Sequence, residues 1–122
     1  MKKKSYRTLS VRKEYADQIA SGEKRIENRD WGKPFAGKEV ALHCSGKGGG
    51  YIIGIMHIRE VITYEEAMKK YPGQNEHIYG DLCWVIDRYT PLVRPVRARG
   101  KLGTWQSPIL PVADEAAWEG VE

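Results

Sequence analysis

The chain contains 122 residues, enough for one domain with a single modest core. Hydrophobic residues make up 41% and charged residues 30%, which excludes a disordered chain, and no apolar run approaches the roughly 18 residues of a membrane span. The net charge is +4, and because the last nine residues hold four acidic side chains and no basic one, the rest carries +8. A body this basic indicates an anionic partner, commonly nucleic acid; surplus lysine for solubility is the alternative.

The N-terminal part of the chain predicts a strand, a helix and a second strand. Apolar and polar residues alternate over residues 6–12, which indicates a strand. Apolar residues then recur at four-residue spacing over residues 13–21, which predicts a short helix, and Gly22 is placed to end it in the left-handed conformation. Residues 24–30 alternate again and predict the next strand.

The remainder predicts three further strands and a second helix. The strands are expected over residues 38–44, 51–63 and 81–89. The longest of them is rich in isoleucine on both faces, as a central strand covered on two sides would be. A helix is predicted over residues 64–71, and the segment 91–105 is expected to be interrupted by its prolines. Its expected apolar anchors are Val93, Val96 and Leu102.

These elements predict an α+β fold. Five or six short strands and two helices without regular alternation indicate a small mixed β-barrel, curved or closed, with two or more short helices at its rim. Residues 1–110 are predicted to form this domain and residues 111–122 an acidic tail. The tail either stays mobile or folds back on the basic body.

Several sequence motifs that would indicate secretion, nucleotide binding or metal binding are missing. The basic opening has no apolar segment of the secretory type, and Cys44 and Cys83 lie in apolar runs as reduced, buried thiols do, so we expect a cytoplasmic protein. The glycine-rich stretch 46–50 has neither phosphate-loop nor dinucleotide-binding spacing and is expected to be a hairpin connection, with Lys47 free to touch a phosphate. The histidines and cysteines form no metal-binding cluster, so we expect no metal and no cofactor.

The strongest candidate site follows the first helix directly, where Lys24, Glu27 and Arg29 fall within six positions. Their purely structural interpretation is a salt-bridged surface strand with Glu27 between two arginines, in which each pair contributes about 0–1 kcal/mol. The helix C-terminus and Glu27 both favour the charged form of Lys24, which suits it to hold a phosphate or polarise a carbonyl. Arg29 can grip a phosphate through two parallel hydrogen bonds.

The stretch LSVRKEYADQIASGEKRIENRDW closely resembles the first motif of the activating-signal-cointegrator homology (ASCH) family, a branch of the PUA-like β-barrels. The family pattern G-x-K-x-[IV]-E-x-R-x-W is matched at Gly22, Lys24, Ile26, Glu27, Arg29 and Trp31. GIMHIREV resembles the long strand of the family, and YGDLCWVIDRYTPLVRPVRARGKLGTW its closing segment. The resemblance extends to about Pro108.

This resemblance implies a cleft between the sheet and the first helix, and an association with RNA or other nucleic acid. Some relatives are enzymes: one group removes the acetyl group of N4-acetylcytidine, and one relative is a metal-independent ribonuclease. The acetyl-removing group uses a lysine and a threonine three residues later, where this chain has Glu27. Many relatives also begin the helix with a Gln-Pro pair, where this chain has Lys13 and Glu14.

The chain is therefore predicted to bind RNA, single-stranded nucleic acid or a nucleotide in that cleft. The candidate binding residues are Arg12, Tyr15, Lys24, Glu27, Arg29, Trp31, Lys47 and Lys101. Tyr15 and Trp31 would offer stacking faces, while Trp84 is assigned to the core. One alternative is a metal-independent enzyme acting on RNA, a ribonuclease or less readily an N4-acetylcytidine amidohydrolase, with Lys24 and Glu27 as catalytic residues. Another is a protein-interaction domain; a monomer without membrane partners is favoured.

Overall fold

The structure is a computed structural model that describes residues 1–121. The strands in these residues are β1 (Lys2–Lys4), β2 (Arg7–Arg12), β3 (Ile26–Arg29), β4 (Glu39–Ser45), β5 (Tyr51–Thr63), β6 (Leu82–Arg97), β7 (Thr104–Gln106), β8 (Leu110–Val112) and β9 (Trp118–Glu119). The helices are α1 (Lys13–Ser21) and α2 (Tyr64–Lys70), with short 3-10 helices at Lys33–Phe35 and Pro72–His77.

The strands form one curled, mixed sheet. Its order is β1-β8-β6-β5-β4-β2-β7, and β3 and β9 pair with β6 outside this path. Strands β2 and β4 run parallel, whereas the long β5 and β6 pair antiparallel. The sheet curls into a half-barrel with the helices at its rim, which confirms the predicted α+β fold. The five strands longer than three residues, β2 to β6, are the predicted ones, whereas the other four are too short to show a period.

Helix α1 has the predicted bounds because its local signals agree. Ala16 and Ile19 are fully buried against the sheet, while the polar residues between them face outward. Gly22 adopts φ 87°, and its N–H donates to the Ile19 carbonyl at 3.1 Å. Only glycine takes this left-handed conformation without strain, so the helix ends here and the chain turns back towards the sheet.

Strand β6 continues through Pro91 to Arg97, contrary to the predicted end at residue 89 and the predicted interruption by prolines. The proline lies opposite Gly54, next to a register shift in the β5–β6 ladder that accommodates a residue without an N–H donor. Val93 and Leu102 were predicted to pack as apolar anchors, and this prediction was wrong. Val93 is 53% exposed, and Leu102, beyond the strand, is 99% exposed. Val96 packs against a buried cluster as expected.

The C-terminal residues fold back on the domain. Strand β8 pairs with β1, and β9 pairs with β6. Between them, the ammonium group of Met1 contacts Asp114 at 2.6 Å. Trp118 stacks on Tyr89, and its indole N–H donates to the Ile19 carbonyl at 2.8 Å, in the last turn of α1. The sequence left open whether the tail is mobile or folds back on the basic body, and the described part of the tail folds back.

The buried core includes Trp84 and both cysteines. Trp84 is fully buried, as predicted, and its indole N–H donates to the Trp31 carbonyl at 2.8 Å. Cys44 and Cys83 are free, buried thiols, which confirms that prediction as well. No helix in residues 1–121 has both the length and the apolar character needed to span a bilayer.

Candidate functional site

Lys24 is buried immediately after α1. Its N–H donates to the Gln18 carbonyl at 3.1 Å, which fixes the backbone at the helix end, and its side chain is 1% exposed. The ammonium nitrogen lies 5.5 Å from the centre of the Tyr15 ring and 5.6 Å from that of Tyr79. Both distances are within the range of cation–π attraction. Within residues 1–121 this nitrogen forms no hydrogen bond with a protein group, yet it is not fully closed off from solvent, so it can donate to a solvent molecule or a ligand.

Burial lowers the pKa of Lys24 below its ordinary value, and the nearby Glu27 carboxylate partly opposes this effect. The helix end and Glu27 were expected to keep the pKa high. The loss of solvation outweighs both, because a buried ammonium without a hydrogen-bonded partner loses much of its hydration. A smaller effect in the same direction comes from the positive charge of Arg29.

Glu27 and Arg29 form an ion pair beside Lys24. The Arg29 Nε donates to Glu27 Oε2 at 3.0 Å, and the Arg29 Nη2 donates to the Ser10 carbonyl at 2.9 Å. Glu27 is only 7% exposed, and burial raises its pKa although Arg29 and Lys24 pull it down. The guanidinium thus connects β3 with β2, which are not neighbours in the sheet. We call the group formed by Lys24, Glu27, Arg29, Tyr15 and Tyr79 the Lys24 cleft, after the predicted cleft; none of the five lines any of the three hollows described below.

The segment that carries Tyr79 is held by Asn28. The Asn28 Nδ2 donates to the His77 carbonyl at 2.8 Å, and its Oδ1 accepts from the Tyr79 N–H at 3.0 Å. His77 is buried, and its Nε2 has no hydrogen-bond partner among residues 1–121. Burial and the charge of Lys24 lower the pKa of His77, which favours the neutral ring. Sequence reasoning missed Tyr79 and His77, since nothing local links them to Lys24.

The sequence matches the ASCH domain over residues 9–97, most of the chain. The chain belongs to the ASCH family. Two solved structures share its fold: an ASCH protein from Zymomonas mobilis, with a TM-score of 0.58, and a point mutant of the Z. mobilis ASCH protein, with a TM-score of 0.56. Each is 16% identical to this chain; the alignments cover 75% of this chain and 72% or 74% of the other. No curated protein matches the sequence.

Two other predicted site residues of this ASCH domain lie outside the Lys24 cleft. Arg12 has a largely exposed side chain and lies 3.8 Å from the Glu14 carboxylate. Trp31 is half-buried and packs edge-on against Trp84, with ring centres 5.4 Å apart. The contact with Trp84 indicates that Trp31 supports the core beneath the motif.

The last two predicted residues, Lys47 and Lys101, belong to another region of the ASCH domain. Lys47 is exposed on the glycine-rich turn between β4 and β5, and Lys101 lines a hollow of about 760 Å³ beside that turn. Arg97 and Arg99 line the same hollow and were not predicted. Their alternation with Lys101 in the sequence is the signal that would have found them. Lys24 lines neither this hollow nor the two smaller ones at the tail and beside β8.

The site residues combine charge with hydrogen-bonding capacity. In the Lys24 cleft a cation lies near two aromatic rings, beside a paired carboxylate and guanidinium. Such a set can hold an anion, donate to a carbonyl and accept from an amine. No group of three or more histidine, cysteine or acidic side chains in residues 1–121 is arranged to hold a metal ion.

Proposed function

We propose that this ASCH domain binds single-stranded RNA, with one nucleotide recognised in the Lys24 cleft. The family is generally linked to RNA binding, and the net charge of +4 favours an anionic partner. The observation that carries the proposal is the position of Lys24: the residue is 1% exposed, and its ammonium lies within cation–π distance of Tyr15 and Tyr79 beside the Glu27–Arg29 ion pair. Removing an ammonium from water costs stability, as the lowered pKa of Lys24 reflects, so its presence here favours a role in ligand binding.

The cleft supplies complementary groups for a nucleotide. The Lys24 ammonium donates to a base carbonyl or a phosphate oxygen, and Glu27 accepts from an exocyclic amine or a ring N–H. Tyr79 is 49% exposed and covers Lys24, so a base reaches the ammonium past this ring and can stack on it. Stacking of this kind is worth about 1–3 kcal/mol per base.

The test replaces Lys24 by methionine, which keeps the length of the side chain between the two tyrosine rings and removes its charge. Hydrogen bonds to charged groups contribute about 1.5–3 kcal/mol, so we expect Lys24→Met to weaken binding of a fluorescently labelled single-stranded RNA by about tenfold or more in anisotropy titrations at low salt.

The matched control is Lys38→Met, an exposed lysine next to the start of β4, which should bind as the unmodified protein does. Equal affinity of Lys24→Met and the unmodified protein would remove Lys24 from the binding site.

A second candidate function is metal-independent catalysis on RNA, either as a ribonuclease or as an N4-acetylcytidine amidohydrolase. The lowered pKa of Lys24 favours it, because a lysine that releases its proton more easily is a better acid or base near neutral pH. Glu27 stands where the acetyl-removing relatives have threonine, which favours the ribonuclease.

Turnover of RNA or of N4-acetylcytidine is expected to survive EDTA and to disappear in Lys24→Met. The pH profile should have an acidic and a basic limb that belong to Glu27 and Lys24. Activity that persists in Lys24→Met would assign the reaction to another site or to a contaminant.

A further inference from the structure

A second region of the surface is built for an anion. We call the hollow of about 760 Å³ the basic basin; its rim consists of the glycine-rich turn 46–50 on one side and residues 97–102 on the other, and its floor of Ser10 and His43. The volume lies in the range of about 300–1,000 Å³ typical of ligand sites. None of its lining residues is acidic.

Three cations surround the basin. Arg97, Arg99 and Lys101 are exposed, and neither Arg99 nor Lys101 forms an ion pair within residues 1–121. Arg97 is oriented by Tyr51, whose hydroxyl accepts from the guanidinium at 3.0 Å. Lys101 lies 6.0 Å from the centre of the Trp105 ring. Positive charges gathered round a hollow without a compensating carboxylate attract phosphate groups.

The polar groups on the floor of the basin already have hydrogen-bond partners. The His43 Nδ1 lies 3.1 Å from the Ser10 hydroxyl, and its Nε2 lies 2.7 Å from the Ala98 carbonyl. At Gly100 the backbone approaches so closely that an added Cβ would lie 2.8 Å from Ser10 Oγ and 2.9 Å from the His43 ring. Because the polar groups of the floor bind one another, the ligand is bound by the charged residues of the rim. Such residues bind backbone phosphates and do not recognise base edges.

Ser10 joins the basin to the Lys24 cleft. Its hydroxyl belongs to the floor of the basin, whereas its carbonyl accepts from the Arg29 guanidinium of the cleft. The two regions are therefore separated by a single residue of β2. A strand with one nucleotide in the cleft would carry its next phosphates towards the basin.

We propose that the basic basin binds the backbone phosphates that flank the nucleotide held in the Lys24 cleft, so that the ligand is a continuous single strand of RNA. This inference rests on the proposed function. It extends the site to Arg97, Arg99 and Lys101, and it makes a strand of several nucleotides a better ligand than a free nucleotide.

The experiment compares the double variant Arg99→Glu/Lys101→Glu with Lys38→Glu/Lys69→Glu, which reverses two exposed lysines remote from the basin lining. Binding of a labelled single-stranded RNA of about twelve nucleotides is measured over a salt series, beside cytidine monophosphate and inorganic phosphate. The basin variant should lose more than about tenfold in RNA affinity, and the slope of log K against log salt should shrink by about 1.4. Its affinity for cytidine monophosphate should change less than about twofold.

The outcomes separate this inference from the proposed function. RNA affinity equal in the basin variant and its charge-matched control overturns the basin, even if Lys24→Met has weakened binding. Loss of RNA affinity in the basin variant together with unchanged affinity in Lys24→Met supports the basin as a phosphate surface and overturns the proposed cleft. Inorganic phosphate that binds as tightly as the RNA would show that the basin takes a free anion, which contradicts the continuous strand.

Discussion

At the scale of single residues, the charge state of Lys24 shows where local sequence reasoning ends. The motif predicted that Lys24, Glu27 and Arg29 would share one site, and the Glu27–Arg29 contact at 3.0 Å beside Lys24 agrees with it. The pKa of Lys24 could not be predicted, because the burial that lowers it comes partly from Tyr79, which a distant segment supplies. Contacts between remote segments decide burial, and a local pattern does not encode them.

Glu27 gives a pH-dependent prediction at the same scale. Burial raises its pKa above the ordinary value of 4.5, so above pH 4.5 the folded state keeps a proton that the unfolded state has lost. The free energy of unfolding contributed by Glu27 therefore falls as the pH rises from 4.5 through the raised pKa. We expect Glu27→Gln to remove this decline, measured by urea denaturation at a series of pH values.

The matched control is Glu23→Gln, an exposed carboxylate in the same segment, which should leave the decline unchanged. Identical pH dependence in Glu27→Gln and the unmodified protein would mean that Glu27 ionises in the folded chain as it does in the unfolded one.

At the scale of elements, the predicted bounds of helices and strands agree with the structure where the sequence pattern is long. Helix α1 and strand β5 have the predicted bounds, since each carries a sustained period and a clear end. Strand β6 exceeds its prediction, because a proline ends a strand only where its missing N–H is needed, and the shifted register removes that need. Strands β8 and β9 are set by their partners and not by their own sequence.

The return of the tail predicts a role for Trp118 in stability. Its indole donates to the Ile19 carbonyl, its ring stacks on Tyr89, and the Arg25 guanidinium lies 4.2 Å from the ring centre. We expect Trp118→Phe to lower the free energy of unfolding by about 1 kcal/mol through loss of the hydrogen bond, and Trp118→Ala by about 2–3 kcal/mol through additional loss of packing. Chemical denaturation measures both.

Glu115→Ala, an exposed position in the same segment, serves as the control and should change stability by less than about 0.5 kcal/mol. A Trp118→Ala protein as stable as this control would show that the tail is not anchored by its tryptophan.

At the scale of the whole molecule, the edges of the sheet decide whether chains associate. The edge strand β1 consists of Lys2, Lys3 and Lys4, all exposed, and the opposite edge strand β7 has only three residues. Short and lysine-rich edges resist pairing with another chain. This arrangement could not be predicted, because β1 has no apolar residue to mark it as a strand.

We therefore expect a monomer of 13.9 kDa in light scattering coupled to size-exclusion chromatography. The variant Lys2→Val/Lys4→Val replaces two edge charges by β-branched residues and should shift the protein towards larger species. The double variant Lys33→Val/Lys38→Val, on exposed positions outside the strands, controls for hydrophobicity alone. A stable dimer of the unmodified chain would refute the protective role of β1.

The Arg29 guanidinium also determines how the half-barrel closes. In residues 1–121 no backbone ladder joins β3 to β2, and the hydrogen bond from Arg29 to the Ser10 carbonyl spans that seam. A hydrogen bond from a charged group contributes about 1.5–3 kcal/mol, less than the extended ladder between β5 and β6. We therefore expect the half-barrel to open most easily along the seam between β2 and β3, which separates the Lys24 cleft from the basic basin.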